Sequence, residues 1–288
     1  MKFNTKVIHG NQHHEKVTGA VMPPVFQTST YAQVSPGKPV GDYEYSRAAN
    51  PTRQALEDAL ASIENGARGL AFASGLAATD CLLRLFKAGD EIIAMDDLYG
   101  GTYRLFTRLY KDSGIKFHFV DMNDLEKFQS LINENTKLVW VETPTNPLMK
   151  LADIEAIAKI AKKHNIKLVV DNTFSPLSVA PGKLGADIVI HSLTKYINGS
   201  SDTVGGVVCA SQEFINSLKN VNDGASMLLG PTMDSLRSAS VMKNLRTLHI
   251  RMKQHSYNAM YLAEKFENDG LKVVYPGLKS HPSHDVIT

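Results

Sequence analysis

From residue 69 onward, short apolar runs alternate with segments of helical period. The runs occupy 69–73, 91–95, 115–120, 137–141, 167–170, 187–190 and 204–209. Most are continuous rather than alternating, the pattern of strands buried on both faces. Between them the clearest helix is predicted at 153–164, where Ile154, Ile157, Ala158 and Ala161 share one face. Lys159, Lys162 and Lys163 point the other way, as a solvated face requires. Strand–helix alternation of this kind predicts an α/β fold, a mainly parallel seven-stranded sheet with helices on both faces. Ligands in such sheets bind at the carboxyl ends of the strands.

The flanks read differently. Residues 1–60 look like an irregular N-terminal arm punctuated by Pro23, Pro24, Pro36, Pro39 and Pro51. Such an arm is either a disordered tail or a segment that wraps something, and Val25, Phe26, Tyr31, Tyr43 and Tyr45 favour wrapping. Residues 61–240 form the main domain. A helical stretch is expected over about 234–268, then a short strand at 271–275 before the sequence stops at Thr288. One helix and one strand with unpaired edges do not make a stable unit. Residues 241–288 therefore read as the start of a truncated C-terminal domain.

Composition narrows the function classes. The 288 residues are 43% hydrophobic and 21% charged, with 31 Lys+Arg against 29 Asp+Glu. Such a chain buries a sizeable core, and its balanced charge lacks the footprint of a nucleic-acid binder. The only cysteines, Cys81 and Cys209, sit in apolar stretches, which fits buried free thiols in a reducing compartment. The first residues hold no apolar leader core and no run reaches about 18 apolar residues. A cytoplasmic protein with no membrane partner is expected. No fixed-period repeat occurs.

Three strand ends carry candidate chemistry. The run ending in Val169 and Val170 leads into Asp171, Asn172 and Thr173. A carboxylate there is costly unless something positive faces it; the structural alternative is an Asp capping the next turn. The run ending at Ile190 is followed by His191, Ser192, Leu193, Thr194 and Lys195. A surface lysine is the default, but a desolvated one becomes a usable amine nucleophile. Ser192 and Thr194 offer hydroxyls to a phosphate. At Ala73, Ser74 and Gly75 a strand passes into a helix, and the free amides of a helix N-terminus bind anions. A phosphate cup, a lysine amine and a carboxylate together suit pyridoxal 5'-phosphate (PLP), which uses a Schiff-base lysine and an anion at its ring nitrogen.

The segments EYSRAANPTR (44–53), AFASGLAAT (71–79), MDDLYGGTYR (95–104), VETPTNP (141–147), VDNTF (170–174) and HSLTKYINGSSD (191–202) carry a closer likeness. Through them the chain resembles the Cys/Met-metabolism group of PLP enzymes: cystathionine γ-lyase, cystathionine γ-synthase and methionine γ-lyase. The resemblance implies the fold type I PLP-dependent transferase-like architecture and a homotetramer of active dimers. It implies Lys195 as the Schiff-base lysine, Asp171 as partner of the pyridinium nitrogen, and Tyr99 as the stacking and proton-transfer residue. It also implies that the amides of Gly75 and Leu76 and the hydroxyls of Ser192 and Thr194 hold the phosphate. Tyr45 and Arg47 are implied to reach the phosphate of a neighbouring subunit, and Asn146 to lie near the ring hydroxyl. Arg104 is implied as a substrate residue; for Arg104 and Glu142 a structural ion pair is the alternative.

Two departures matter. Methionine γ-lyases carry a cysteine where Gly101 stands, which argues against that subgroup. Family chains also continue for about a hundred residues more, and that part supplies the arginine for the substrate carboxylate. The implied activity is γ-elimination on L-cystathionine or a related sulfur amino acid, a small-molecule substrate. Alternatives are γ-replacement on an O-acylhomoserine and a truncated PLP-binding subunit with little activity. A dinucleotide-binding enzyme lacks its G-x-G-x-x-G. His13, His14, His281 and His284 lack a third ligand at metal-binding spacing.

Overall fold

The computed structural model describes residues 3–10 and 13–286. The outermost residues of the 1–60 and 241–288 segments, and residues 11 and 12, lie outside the described residues. A two-stranded hairpin, β1 (Gln33–Ser35) and β2 (Lys38–Pro39), precedes the main sheet. The sheet comprises β3 (Arg68–Phe72), β4 (Glu91–Met95), β5 (Lys116–Val120), β6 (Thr136–Glu142), β7 (Lys167–Asp171), β8 (Ile188–Ser192) and β9 (Gly206–Ala210). Their order is β3-β9-β8-β7-β6-β4-β5. β4 runs parallel to β5 and β6, and β6 parallel to β7, whereas β3 is antiparallel to β9. All seven predicted runs are strands. Every residue of β4 and β9 is buried, the reason these sequences are continuously apolar.

The helices are α1 (Phe3–His9), α2 (Pro51–Glu64), α3 (Gly75–Leu83), α4 (Gly100–Arg104), α5 (Leu125–Ser130), α6 (Ile154–Lys163), α7 (Gln212–Leu218), α8 (Ala225–Leu229), α9 (Ser235–Leu245) and α10 (Leu248–Asn268). α6 follows its sequence closely. Asp153 caps it by accepting from the Ala156 amide, Glu155 sits in the first turn, and Lys162 and Lys163 sit in the last, each charge complementing the helix dipole. Ile154, Ile157, Ala158 and Ala161 are its buried face.

By internal packing the chain falls into two compact units, Met1–Leu85 with Ile190–Leu248, and Phe86–Val189 with His249–Thr288. In the first unit, α1 buries Val7, and the Lys6 ammonium donates to the Ser62 carbonyl. The 1–60 segment is therefore less irregular than its prolines imply. Pro51 opens α2 instead of interrupting the chain, because Asn50 accepts from the amides of Thr52 and Arg53 and a first-turn proline needs no amide partner. Further back, the Thr52 hydroxyl donates to the Pro24 carbonyl and accepts from the Phe26 amide, pinning the arm to α2.

In the second unit an aromatic cluster lies within an otherwise aliphatic core. Phe106 stacks on Phe117, with centroids 4.6 Å apart, and meets Trp140 edge-on at 5.5 Å. The strand expected at 271–275 does not form. α10 ends instead at Gly270, whose φ of +84° suits a residue without Cβ. The Leu271 amide bonds back to the Phe266 carbonyl, and the Leu278 amide to that of Tyr275. Local turns thus take up backbone groups that a ladder would have used. The helical stretch from 234 is likewise two helices, divided where the Thr247 amide turns back to the Asn244 carbonyl.

Candidate active site

In the first unit, β3 feeds directly into α3. Ser74 is extended and caps the helix by accepting from the Ala77 amide at 3.0 Å. The amides of Gly75 and Leu76 come before the helix's own hydrogen bonding begins, and Leu76 is exposed. A Cβ on Gly75 would lie 3.1 Å from the Ser192 Cβ, so this glycine and the end of β8 sit side by side. Nearby, a Cβ on Gly206 would lie 2.3 Å from the Ser74 carbonyl oxygen. Both glycines keep the turn flush against β8 and β9 and leave room for a ligand at the amides.

Thr194 is already engaged. Its hydroxyl donates to the Gly205 carbonyl at 3.3 Å and accepts from the Gly205 amide at 3.1 Å. Lys195 follows on a turn, its amide reaching the Ser192 carbonyl at 3.4 Å. Its side chain is exposed in the single chain, so the desolvated lysine expected from the apolar flanks is not found there. The three residues from the end of β8 carry it out of the buried layer.

Tyr45 and Arg47 are both exposed. The Arg47 guanidinium lies over the Tyr45 ring, 5.3 Å from its centroid, a cation–π contact. Their loop is held from inside by Arg53, which sequence reasoning did not single out. Arg53 is buried, donates to the carbonyls of Ser46 (2.8 Å), Arg47 and Met233 (both 3.3 Å), and pairs with Glu57 at 3.3 Å. The signal was present in the sequence: an arginine one turn before a glutamate on an apolar helix face.

The second unit carries the acidic residues. Glu142 and Asp171 are register partners at the tips of β6 and β7. Asp171 Oδ1 accepts from the Thr173 amide (3.0 Å) and hydroxyl (2.6 Å), so the turn-capping role is real. Glu142 is 5% exposed and accepts two backbone amides. Tyr99 donates to Oε2 at 2.9 Å and Asn146 to Oε1 at 2.8 Å. Burial first, and the neighbouring Asp171 next, push its carboxyl up to about 8, against the pull of the two amides. Among the described residues Glu142 makes no ion pair with Arg104, which is exposed at the end of α4. The ion-pair alternative is therefore set aside. Asp97 is also close: it accepts from the Thr145 hydroxyl and from the Leu148 amide at 3.0 Å.

Tyr99 stands before α4 and is 42% exposed. A Cβ on Gly101 would lie 2.3 Å from its ring, so the ring rests over the backbone of the helix's first turn. His281, weighed above as a metal ligand, has both ring nitrogens in use. Nε2 donates to the Met149 carbonyl at 3.0 Å and Nδ1 accepts from the Ser283 amide at 3.1 Å.

Taken one group at a time, the donors fit the two charged ends of PLP. An accessible helix N-terminus beside a serine suits a phosphate. A carboxyl held partly protonated because burial and a second carboxyl oppose its charge suits a cationic ring, which would relieve that opposition. The chain matches the family described as Cys/Met metabolism PLP-dependent enzyme over residues 4–288.

The chain belongs to that family.

Its relatives agree. A protein of Herpetosiphon aurantiacus named probable cystathionine gamma-synthase is 49% identical over 99% of this chain and 89% of its own length. Cystathionine gamma-lyase of Bacillus subtilis is 44% identical over 99% of this chain and 75% of its own. The crystal structure of cystathionine gamma-lyase from Lactobacillus plantarum, complexed with L-serine, superposes with a TM-score of 0.94 at 38% identity. The likeness covers all of this chain and 75% of that one. The fold is thus that of PLP-dependent cystathionine enzymes and the cofactor is PLP. No helix among the described residues is long and apolar enough to cross a membrane.

Proposed function

We propose that this Cys/Met-metabolism enzyme catalyses γ-elimination on L-cystathionine or a related sulfur amino acid. With cystathionine and water the products are cysteine, 2-oxobutanoate and ammonia. The observation that carries the reading is the Glu142–Asp171 carboxyl pair at the tips of β6 and β7, in a chain of this family. When bound, PLP supplies an electron sink for the charge left on substrate carbon as protons are removed.

The chain's own residues would do the rest. The amides of Gly75 and Leu76, with Ser192, would bind the phosphate. Thr194 would join them by releasing its bond to the Gly205 carbonyl. Asp171 would hold positive charge at the ring nitrogen, and Asn146 would lie at the ring hydroxyl. Lys195 Nζ would anchor the cofactor, then take the α proton and move further protons along the substrate. Tyr99 would cover the ring face and give a proton to the departing sulfur. Arg104 would face the substrate. Tyr45 and Arg47, on an exposed loop, would complete the phosphate site of a neighbouring copy, in a cytoplasmic homotetramer of active dimers. An arginine fork suits that phosphate.

The second reading is γ-replacement on an O-acylhomoserine, favoured by the name of the Herpetosiphon relative. Borohydride reduction of PLP-loaded protein should fix the cofactor on Lys195, and a label elsewhere would refute its assignment. Products from L-cystathionine and from an O-acylhomoserine with a thiol, assayed separately, decide between the two activities.

A further inference from the structure

We infer that Glu142 is a positioning residue that ties the Tyr99 and Asn146 segments to the tip of β6. The two amides it holds belong to residues that approach from different sides in sequence, one ahead of α4 and one in the loop after β6. Tyr99 lies 43 positions before Glu142 and Asn146 four after. One buried carboxyl thus sets the backbone of both.

Neighbouring contacts extend the same loop system. The Thr145 hydroxyl and the Leu148 amide bond Asp97, two residues before Tyr99. The Lys150 amide bonds back to the Thr145 hydroxyl at 2.9 Å, and the Ala152 amide to that of Thr143 at 3.0 Å. Glu142 lies at the centre, and its two accepted bonds run to the residues proposed to flank the cofactor ring. Tyr99 needs such an anchor. Its ring is half exposed and rests on a glycine, so its own packing fixes it weakly. A backbone held at the amide restricts where the ring can go.

This inference rests on the reading that Tyr99 and Asn146 flank PLP. The test compares wild type with Glu142→Gln and Glu142→Met. Gln keeps one acceptor and turns an NH2 group toward the other amide; Met fills the space and accepts from neither. Hydrogen-exchange mass spectrometry on peptides spanning Tyr99 and Asn146 should show one of them exchanging about ten- to a hundredfold faster in Gln, and both in Met. The PLP dissociation constant should rise about tenfold or more in each. Glu91→Gln is the control. Glu91 is equally buried, bonded to His118, Lys116 and Asn133 at the start of β4. It should lower stability and leave both peptides and PLP affinity unchanged. Unchanged exchange in Gln and Met, or faster exchange with wild-type PLP affinity, overturns the inference alone. A wild-type protein that takes up no PLP overturns the functional reading and this inference with it.

Discussion

The carboxyl of Glu142 should make the cofactor-free protein less stable as pH rises, and Glu142→Gln should remove that dependence. Glu142 is buried, bonds two amides, and faces Asp171 across the β6–β7 pair. Burial first, and Asp171 second, move its carboxyl from an ordinary 4.5 up to about 8. An unfolded chain releases this proton near 4.5 while the native chain keeps it. The native state therefore binds more protons throughout the window, and stability falls as pH rises from about 4.5 to about 8. At about 1.36 kcal/mol for each pH unit, the loss reaches roughly 5 kcal/mol. Glutamine cannot ionise, so it avoids this loss and gives up about 1 kcal/mol for one amide bond. The variant should be slightly less stable than wild type at pH 5 and clearly more stable at pH 8.5. Urea unfolding read by Trp140 measures this directly. Trp140 is the only tryptophan in the chain, buried on β6 two residues before Glu142. Titrating groups remote from Glu142 cancel in the wild-type-minus-variant difference, whereas its neighbour Asp171 stays part of the Glu142 contribution. A difference that stays constant from pH 5 to 8.5 would refute the reasoning.

Gly101→Ala should displace the Tyr99 ring, because the new Cβ would sit 2.3 Å from ring carbon; kcat/KM should fall about a hundredfold with little change in thermal midpoint, and a wild-type rate would show that the ring position is not set there. Gly206→Ala meets backbone at the Ser74 carbonyl, 2.3 Å away. It should cost about 1–3 kcal/mol in denaturant unfolding and weaken PLP binding, whereas unchanged stability would mean that the β3–α3 turn yields freely. Mixing Arg47→Ala with Lys195→Ala chains should restore activity in hybrid dimers, since one of the two sites then carries neither change; verified hybrids with no activity would make Arg47 a same-chain residue.

What the sequence discloses here follows from range. The seven strands were legible because burial on both faces forces a continuous apolar run, a signal confined to each segment. α6 was legible to its capping residue for the same reason. Asp171 stood out because a carboxylate ends an apolar strand, and Glu142 ends β6 in the same way. What no pattern could give is the identity of Glu142's partners. They are backbone amides, one of them 43 residues away, and every residue but proline carries an amide. Pro51 shows the converse difficulty. A proline is a break or a helix start depending on whether the preceding residue caps, and Asn50 does. Lys195 lay beyond the strand's own signal, so apolar neighbours on either side did not settle its exposure.

The electrostatics explain why two carboxyls are kept where one would serve to face a cation. Asp171 already has Oδ1 committed to the amide and hydroxyl of Thr173. Placing Glu142 beside it in a buried position makes the pair hold less than its full negative charge near neutral pH. A cation bound at Asp171 lowers the cost of ionising Glu142, and an ionised Glu142 accepts both amides more strongly. Cofactor binding and loop anchoring are then linked, each favouring the other by the same free energy. The consequence reaches back to the unfolding experiment. With PLP bound, the pH dependence assigned to Glu142 should flatten, because the ring would supply the charge that the empty pair lacks. A slope as steep in the loaded protein as in the cofactor-free one would place the cation away from Asp171.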